Sequence, residues 1–475
     1  MKNLRRGRVL ATVALTALAT AAVPVVAQAS SPALVSAFAP GDATGTYYQV
    51  SPSRLLDTRT GNGAPKAKVG EGRKVDLQVT GRGGVPATGV SAAVLNLTGI
   101  TPTRGTYLTA YPAGAARPTA STLNLASGQI RANLVTVPVS STGKVSIYNY
   151  HGTIDIAADV LGFYSKDDSL QPTKGTGTQF QLAEPGRLFD SRTSPDGAVR
   201  PSEEVFMGPD FNDPANPSDI NTRIRALAVN ITALNAQKYG YLQAYAADAA
   251  APATSALNLV PGKVVSNMTV VAASYEPTEK VPAFVIKNHS SGTVDVLVDV
   301  VGYYDEGSAA GLHYSPISPR RIVDTRNGTG GRSTPLGYKT TAGFTADSTV
   351  ADSSTFALVT NTTAVLPTAG TFVTVWDGTT ALPTVSNLNP AAGDVVANAV
   401  VAPLSDANTF SVFNRNGATD VVMDVTGKFQ FHTQGAPTSS SKAAAGPATA
   451  DRLVAAAEPR AAYTRGNAFR GVILR

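Results

Sequence analysis

The chain has 475 residues, 43 Gly, 31 Pro, four His and no Cys, and only 15% of it is charged. Against a usual ~25% charge, that composition excludes a charge-rich disordered chain or a long coiled coil, and the missing cysteine excludes disulfides and thiolate chemistry. The net charge of +6 sits at the ends: residues 1–29 carry +4 and the tail from Ser441 another +4, which leaves −2 on the body and excludes a basic nucleic-acid-binding face.

The N-terminus predicts a secretory signal. Basic residues Lys2 to Arg8 precede an apolar run, Val9 to Val26, and Ala27-Gln28-Ala29 supplies small residues for cleavage before Ser30. No later apolar stretch approaches ~18 residues, so no membrane span is expected after cleavage.

The body then repeats itself three times. Arg54-Leu55-Leu56-Asp57-Thr58-Arg59 returns as Arg187-Leu188-Phe189-Asp190-Ser191-Arg192 and as Arg321-Ile322-Val323-Asp324-Thr325-Arg326. Asn96-Leu97-Thr98 returns at Asn230 and Asn361, and Tyr107-Leu108-Thr109-Ala110-Tyr111 at Tyr241 and Phe372. A Ser-x-Leu-Asn element follows at Ser121, Ser255 and Ser386, then asparagines at Asn133, Asn267 and Asn398, and at Asn149, Asn288 and Asn414. Each copy closes on Asp-x-x-x-Asp-Val-x-Gly: Asp155 to Gly162, Asp295 to Gly302, and Asp420 to Gly427.

A period of domain size predicts three tandem domains, 45–165, 178–305 and 312–432, followed by an Ala/Pro/Ser-rich basic tail, 433–475, expected to lack order. Within a copy, alternation such as Val75, Leu77 and Val79, with turns such as Gly61-Asn62-Gly63 between, predicts about eight short strands and no helix. The fold class is therefore all-β: three antiparallel β-sandwiches, jelly-roll-like or immunoglobulin-like.

Taken together, the Arg-Leu-Leu-Asp-Thr-Arg, Asn-Leu-Thr, Tyr-Leu-Thr-x-Tyr-Pro, Ser-x-Leu-Asn and Asp-Val-x-Gly-Phe/Tyr elements resemble a repeat of exported actinobacterial proteins. The likeness covers roughly 385 residues, nearly all of the chain after residue 29. It implies an extracellular accessory module and assigns no catalytic residue. The third copy departs from it most, with Trp376 in place of the second tyrosine and Lys428 after Gly427.

Two sets of residues are candidates for ligand binding. The first is the charged string: Arg54, Asp57 and Arg59, Arg187, Asp190 and Arg192, Arg321, Asp324 and Arg326. An arginine fork suits a sugar or carboxylate, while the structural alternative has Asp57 capping a turn and an arginine paired with Asp159. In a regular strand Asp57 and Arg59 share a face and Arg54 points away. The second set is the aromatic pairs Tyr107 with Tyr111, Tyr241 with Tyr245 and Phe372 with Trp376, either a platform for sugar rings or one face of a sandwich core. The repeated asparagines fit turns better than a polar groove. An oxygen-rich loop, Asp210 to Asp219, occurs in the second copy only and lacks the pattern of a calcium loop.

No cofactor or metal is expected, and no nucleophile elbow, metal-protease motif or phosphate loop is present. The expected function is non-enzymatic: a secreted binding protein recognising a cell-wall or environmental polysaccharide through several weak sites. A structural or protein-interaction array at the cell surface is the alternative, with a protein partner. A glycan-processing enzyme is a distant third.

Overall fold

The computed structural model describes residues 9–10, 42–211, 220–307, 311–431 and 470–474. The cleavage site expected before Ser30 and most of the Asp210–Asp219 loop lie outside the described residues.

In the first copy the alternating segments form eight strands: β1 Tyr47–Asp57, β2 Lys74–Gln78, β3 Val90–Ile100, β4 Thr106–Pro112, β5 Leu123–Leu125, β6 Ile130–Pro138, β7 Lys144–Asn149 and β8 Asp155–Ser165. They pair antiparallel into two sheets, ordered β1-β8-β3-β6 and β2-β7-β4-β5. That order is an eight-stranded jelly roll, not an immunoglobulin sandwich.

The second and third copies repeat the first sheet strand for strand: Gln179–Asp190, Asp295–Asp305, Ile224–Leu234 and Val265–Ala272, then His313–Asp324, Asp420–Gln430, Thr355–Val365 and Val395–Pro403. In the third copy the second sheet keeps three strands, Thr340–Thr345, Thr409–Asn414 and Val373–Trp376. Of the tail only Arg470–Leu474 is described; it pairs with Glu204–Asp210 at an edge of the second module, and the two-residue strand Val9–Leu10 pairs with it in turn.

Each module closes its own apolar core between its sheets, for example Leu56, Leu97, Leu108, Ile147 and Val160 in the first. A fourth buried cluster belongs to all three modules at once. It gathers Tyr47, Val94, Leu134 and Tyr164 from the first, Phe180, Met268, Val270 and Tyr304 from the second, and Tyr314, Val359, Val401 and Phe429 from the third. The outer face of each first sheet is thus apolar as well, and three such faces bury one another.

At the centre the contacts run in a cycle. The ring of Tyr47 lies 4.4 Å from that of Tyr304, Phe180 lies 4.1 Å from Phe429, and Tyr314 lies 4.2 Å from Tyr164. Each time, the aromatic residue opening one module packs on the aromatic residue closing another, which is the heterologous contact of a closed three-membered ring. The entry segments close the same cycle through bridges between Tyr47 and Thr178 and between Phe180 and Leu312, and a 2.8 Å bond from the Tyr314 amide to the Gly45 carbonyl. The closing glycine of each repeat permits this. A Cβ at Gly162, Gly302 or Gly427 would sit 2.2–2.4 Å from the ring of Tyr47, Phe180 or Tyr314.

Candidate functional site

The charged string is held inside each module. Arg54 pairs through Nε with Asp159, its Nη2 reaches the other Asp159 oxygen at 3.2 Å, and its Nη1 donates to Asp57 Oδ2 at 2.9 Å. Arg59 returns onto Asp57 through Nη2 at 2.7 Å, Nε at 2.9 Å and its backbone amide at 3.1 Å. The same bonds join Arg187, Asp190, Arg192 and Asp299, and Arg321, Asp324, Arg326 and Asp424. Arg54 does not point away from Asp57 as a regular strand requires. The β1–β8 register shifts between Arg54 and Leu56, and this bulge turns Arg54 and Asp57 to one side.

The electrostatics follow from that geometry. Hydrogen bonds from Arg59 and Arg192 lower the Asp57 and Asp190 carboxyls, and those from Arg326 bring Asp324 down to about 2. Burial acts the opposite way on the partner carboxylates, raising Asp159 and Asp424 and pushing Asp299 up to about 6. The carboxylates have their partners within the module, and the outer arginine, such as Arg59 with 49% of its side chain exposed, is more open to solvent than the inner one, Arg54, at 27%. Asp155, Asp295 and Asp420 are likewise occupied, accepting from Thr58, Ser191 and Thr325.

The aromatic pairs divide. Tyr111, Tyr245 and Trp376 are buried, whereas Tyr107, Tyr241 and Phe372 are half-buried at the start of the same strand. The loop after that strand folds back on it: Thr109 donates to the Ala120 carbonyl at 3.0 Å, and Thr374 to the Val385 carbonyl at 2.8 Å. Two of the three outer members stack on rings at or just past the end of the neighbouring strand, while Phe372 lies tilted 6.0 Å from Phe413. Tyr107 lies 4.5 Å from Tyr150, which lies 3.8 Å from His151, and Tyr241 lies 4.6 Å from His289.

The repeated asparagines have the role least visible in the sequence. Asn149, Asn288 and Asn414 do bind backbone at strand ends, each with its side-chain nitrogen within hydrogen-bond reach of three or more carbonyls that share its two hydrogens. Asn96 and Asn133 instead lie within strands, buried, and join modules. Asn267 donates to Asn96 Oδ1 at 3.0 Å, Asn398 to Asn230 Oδ1 at 2.9 Å, and Asn133 to Asn361 Oδ1 at 2.8 Å. The receiving asparagine then donates to the serine carbonyl of the Ser-x-Leu-Asn element opposite: Asn96 to Ser255, Asn230 to Ser386, Asn361 to Ser121. The amides of Leu134, Met268 and Ala399 complete the set by donating to Asn267, Asn398 and Asn133. An apolar interface with one saturated polar network fixes register as well as adhesion.

Open space near these residues is small. A cavity of about 40 Å³ lies where the three modules meet, against Ser121, Leu134, Met268, Asn361 and Val400. It has room for a few waters and not for a sugar. A wider hollow of about 460 Å³ lies beside the linker, at Tyr48, Phe163, Lys174 and Glu306. Its three rings, Tyr47, Tyr48 and Phe163, are buried, and the Tyr48 hydroxyl is already bonded to the Gly175 carbonyl at 2.6 Å. Among the described residues no group of three or more His, Cys, Asp or Glu is placed to hold a metal, and no helix is long and apolar enough to cross a membrane.

No family model matches the chain, and no curated protein does. Among solved structures, the chain is similar to a protein described under the atomic structure of Sulfolobus Turreted Icosahedral Virus, 10% identical with a TM-score of 0.16, covering 81% of this chain and 91% of that one. A second, described under the triple jelly roll fold and turret assembly of an archaeal virus, is 11% identical with a TM-score of 0.16, covering 82% and 91%.

Proposed function

We propose that the protein is a non-enzymatic binding protein of the cell exterior that recognises a polysaccharide as one rigid, three-lobed body. The observation that carries this is the closed cycle of modules. The repeated charges and inner aromatics are spent inside each module, and Asn96, Asn133 and their counterparts on joining modules, which leaves equivalent outer surfaces at fixed spacing. Weak sites held at fixed distances on one body gain avidity without an ordering cost for flexible linkers. The basic, then apolar, then small-residue N-terminus and the likeness of the repeat to exported modules support the exterior location.

Burial of Tyr111, Tyr245 and Trp376 favours a second reading, a structural or protein-interaction block of the cell surface. One experiment separates the two. The protein is mixed with insoluble polysaccharides and purified cell walls stripped of protein, then pelleted. Saturable retention on at least one polysaccharide is expected. Retention on none of them, with capture only by walls that keep their proteins, would favour the second reading.

A further inference from the structure

The exposed aromatic side chains among the described residues are three tyrosines, one in each module: Tyr150 at 39%, Tyr239 at 74% and Tyr338 at 63% exposure. They occupy three different loops. Tyr150 follows β7, Tyr239 precedes the second module's counterpart of β4, and Tyr338 precedes the third module's counterpart of β2.

These three kinds of loop meet at one pole of every jelly roll. In the first module the Gly152 amide donates to Glu71, and the Thr103 amide to the Thr153 carbonyl at 2.9 Å. In the second, Gln237 donates to Thr293 at 3.0 Å and Ser202 to Asn288 at 2.9 Å; in the third, Lys339 donates to Arg415 at 3.2 Å and Thr368 to Ala418 at 2.8 Å. Each module has therefore put a solvent-facing tyrosine at the same pole from a different position in the repeat. At the position of Tyr150 the other copies have His289 and Arg415, and at that of Tyr239 they have Gly105 and Gly370. Descent from a common repeat accounts for the loops but not for the tyrosines, and no core needs a ring there.

Each pole also sets a cation beside its tyrosine. Lys238 precedes Tyr239, and Lys339 and Arg415 flank Tyr338, with the Lys339 ammonium 5.2 Å from the ring centre. At Tyr150 the cation is Arg104, which also meets Glu71 at 3.6 Å, and the His151 ring stacks on Tyr150 at 3.8 Å. The acids nearby, Glu71 and Glu203, each accept a backbone amide, from Gly152 and Arg200. Asn149, Asn288 and Asn414 pin the loops, so the surface is formed before any ligand arrives. A rigid ring with a neighbouring cation suits a sugar ring that carries negative charge, through stacking and a charge-assisted hydrogen bond.

We infer that the three poles around Tyr150, Tyr239 and Tyr338 are the binding sites for an acidic polysaccharide, an assignment that rests on the polysaccharide reading above. The test is migration of the full secreted chain through native gels containing polygalacturonate or, separately, neutral dextran. Retardation by polygalacturonate and not by dextran is expected. The triple variant Tyr150→Ala, Tyr239→Ala, Tyr338→Ala should need at least tenfold more polygalacturonate for the same retardation, with an unchanged thermal melt. If the unaltered protein is retarded and the triple variant equally so, the poles are not the sites. Equal retardation by dextran would overturn the acidic ligand. Migration unaffected by either gel, with binding to other polysaccharides in the pelleting experiment, would sink this assignment and leave the broader reading standing. Failure in both experiments would remove both.

Discussion

Asn267 of the second module donates its side-chain amide to Asn96 of the first at 3.0 Å, while its own oxygen accepts the Leu134 amide of that same module at 3.1 Å. A second bond from Asn267, to the Ala256 carbonyl at 2.7 Å, uses its remaining hydrogen. One buried side chain thus satisfies groups in two modules, and its counterparts Asn398 and Asn133 repeat the pattern until the ring closes. Nothing in a row of independent domains calls for such residues.

Replacing that side chain should therefore cost folding stability. Asn267→Ala leaves a buried backbone amide and the Asn96 oxygen without partners, at about 1–3 kcal/mol for each unsatisfied group. Denaturant melts of the full chain should show the loss. Because the shared cluster couples the modules, the whole body should shift rather than one part of it. A midpoint unchanged by Asn267→Ala would contradict the assigned role.

The closing glycines give a sharper steric test. Gly302→Ala drives a Cβ to 2.4 Å from the Phe180 ring, and overpacking of this kind costs about 1–3 kcal/mol. Gly343→Ala is the control, since a Cβ there meets nothing within 4 Å and its φ is not left-handed. It should be neutral or slightly stabilising. Equal melts for the two variants would mean that the central rings are not packed as described.

The charged string should act on stability. Asp190→Ala removes the partner of both Arg187 and Arg192, and a loss of about 1–3 kcal/mol is expected for a largely buried, charge-assisted network. Retention on polysaccharide by the folded fraction should not change. An unaltered melt with lost retention would transfer the string from scaffold to binding surface.

Stability should also vary with pH in a defined direction. Asp305 is buried, accepts from Gln181 at 3.0 Å, and faces Arg223 at 3.7 Å, too far for a hydrogen bond; burial pushes its carboxyl up to about 6. A raised folded value means that the native state holds the proton more tightly than the unfolded chain, so this group's contribution falls as pH rises from about 4 through 6. Asp299 acts in the same sense. Asp324, held down to about 2, acts in the other, with stabilisation present above about 4 and lost toward 2. Asp305→Asn keeps the acceptor for Gln181 and abolishes one titration, so its stability should fall less than that of the unaltered protein between pH 4 and 6. Parallel curves would show that Asp305 is not the titrating group.

Much of this was legible in the sequence, and the rest was hidden for physical reasons. The period-2 stripes and turn glycines predict the sandwiches, and the recurrence of the charged string with the closing Asp159 predicts an arginine paired with that carboxylate. The bulge at Leu55 was not legible, because one extra residue in a ladder leaves no composition signal, and it reversed the expected side of Arg54. The ring was half visible. Asn96, Asn133 and Ser121 recur in every copy, but a buried amide inside a strand looks the same in sequence as one in a turn. Tyr47, Phe180 and Tyr314 occupy one position, yet as Tyr, Phe and Tyr they read as ordinary core. A third signal was present in Val94, Val270 and Val401, since apolar residues on both faces of the first sheet require a cover that a single sandwich does not provide. The polar-pole tyrosines left no repeat signal at all, because each copy places its tyrosine differently.

The ring makes a last prediction about the module on its own. Residues 178–305 alone would expose Phe180, Met268, Val270, Val301 and Tyr304, and would leave Asn230 and Asn267 without partners from other modules. A contiguous apolar face of that kind does not persist in water as a soluble monomer. The same surface is complementary to itself, since the opening ring of one copy fits the closing ring of another and the step closes after three. Purified 178–305 should therefore sediment at three times its monomer mass, with Phe180 of one copy on Tyr304 of the next. Met268→Glu, which sets a charge in the shared cluster, should dissociate that trimer or drive it into aggregates. A cooperatively folded, monodisperse monomer of the unaltered fragment would show that each jelly roll stands alone and that the ring merely gathers finished domains.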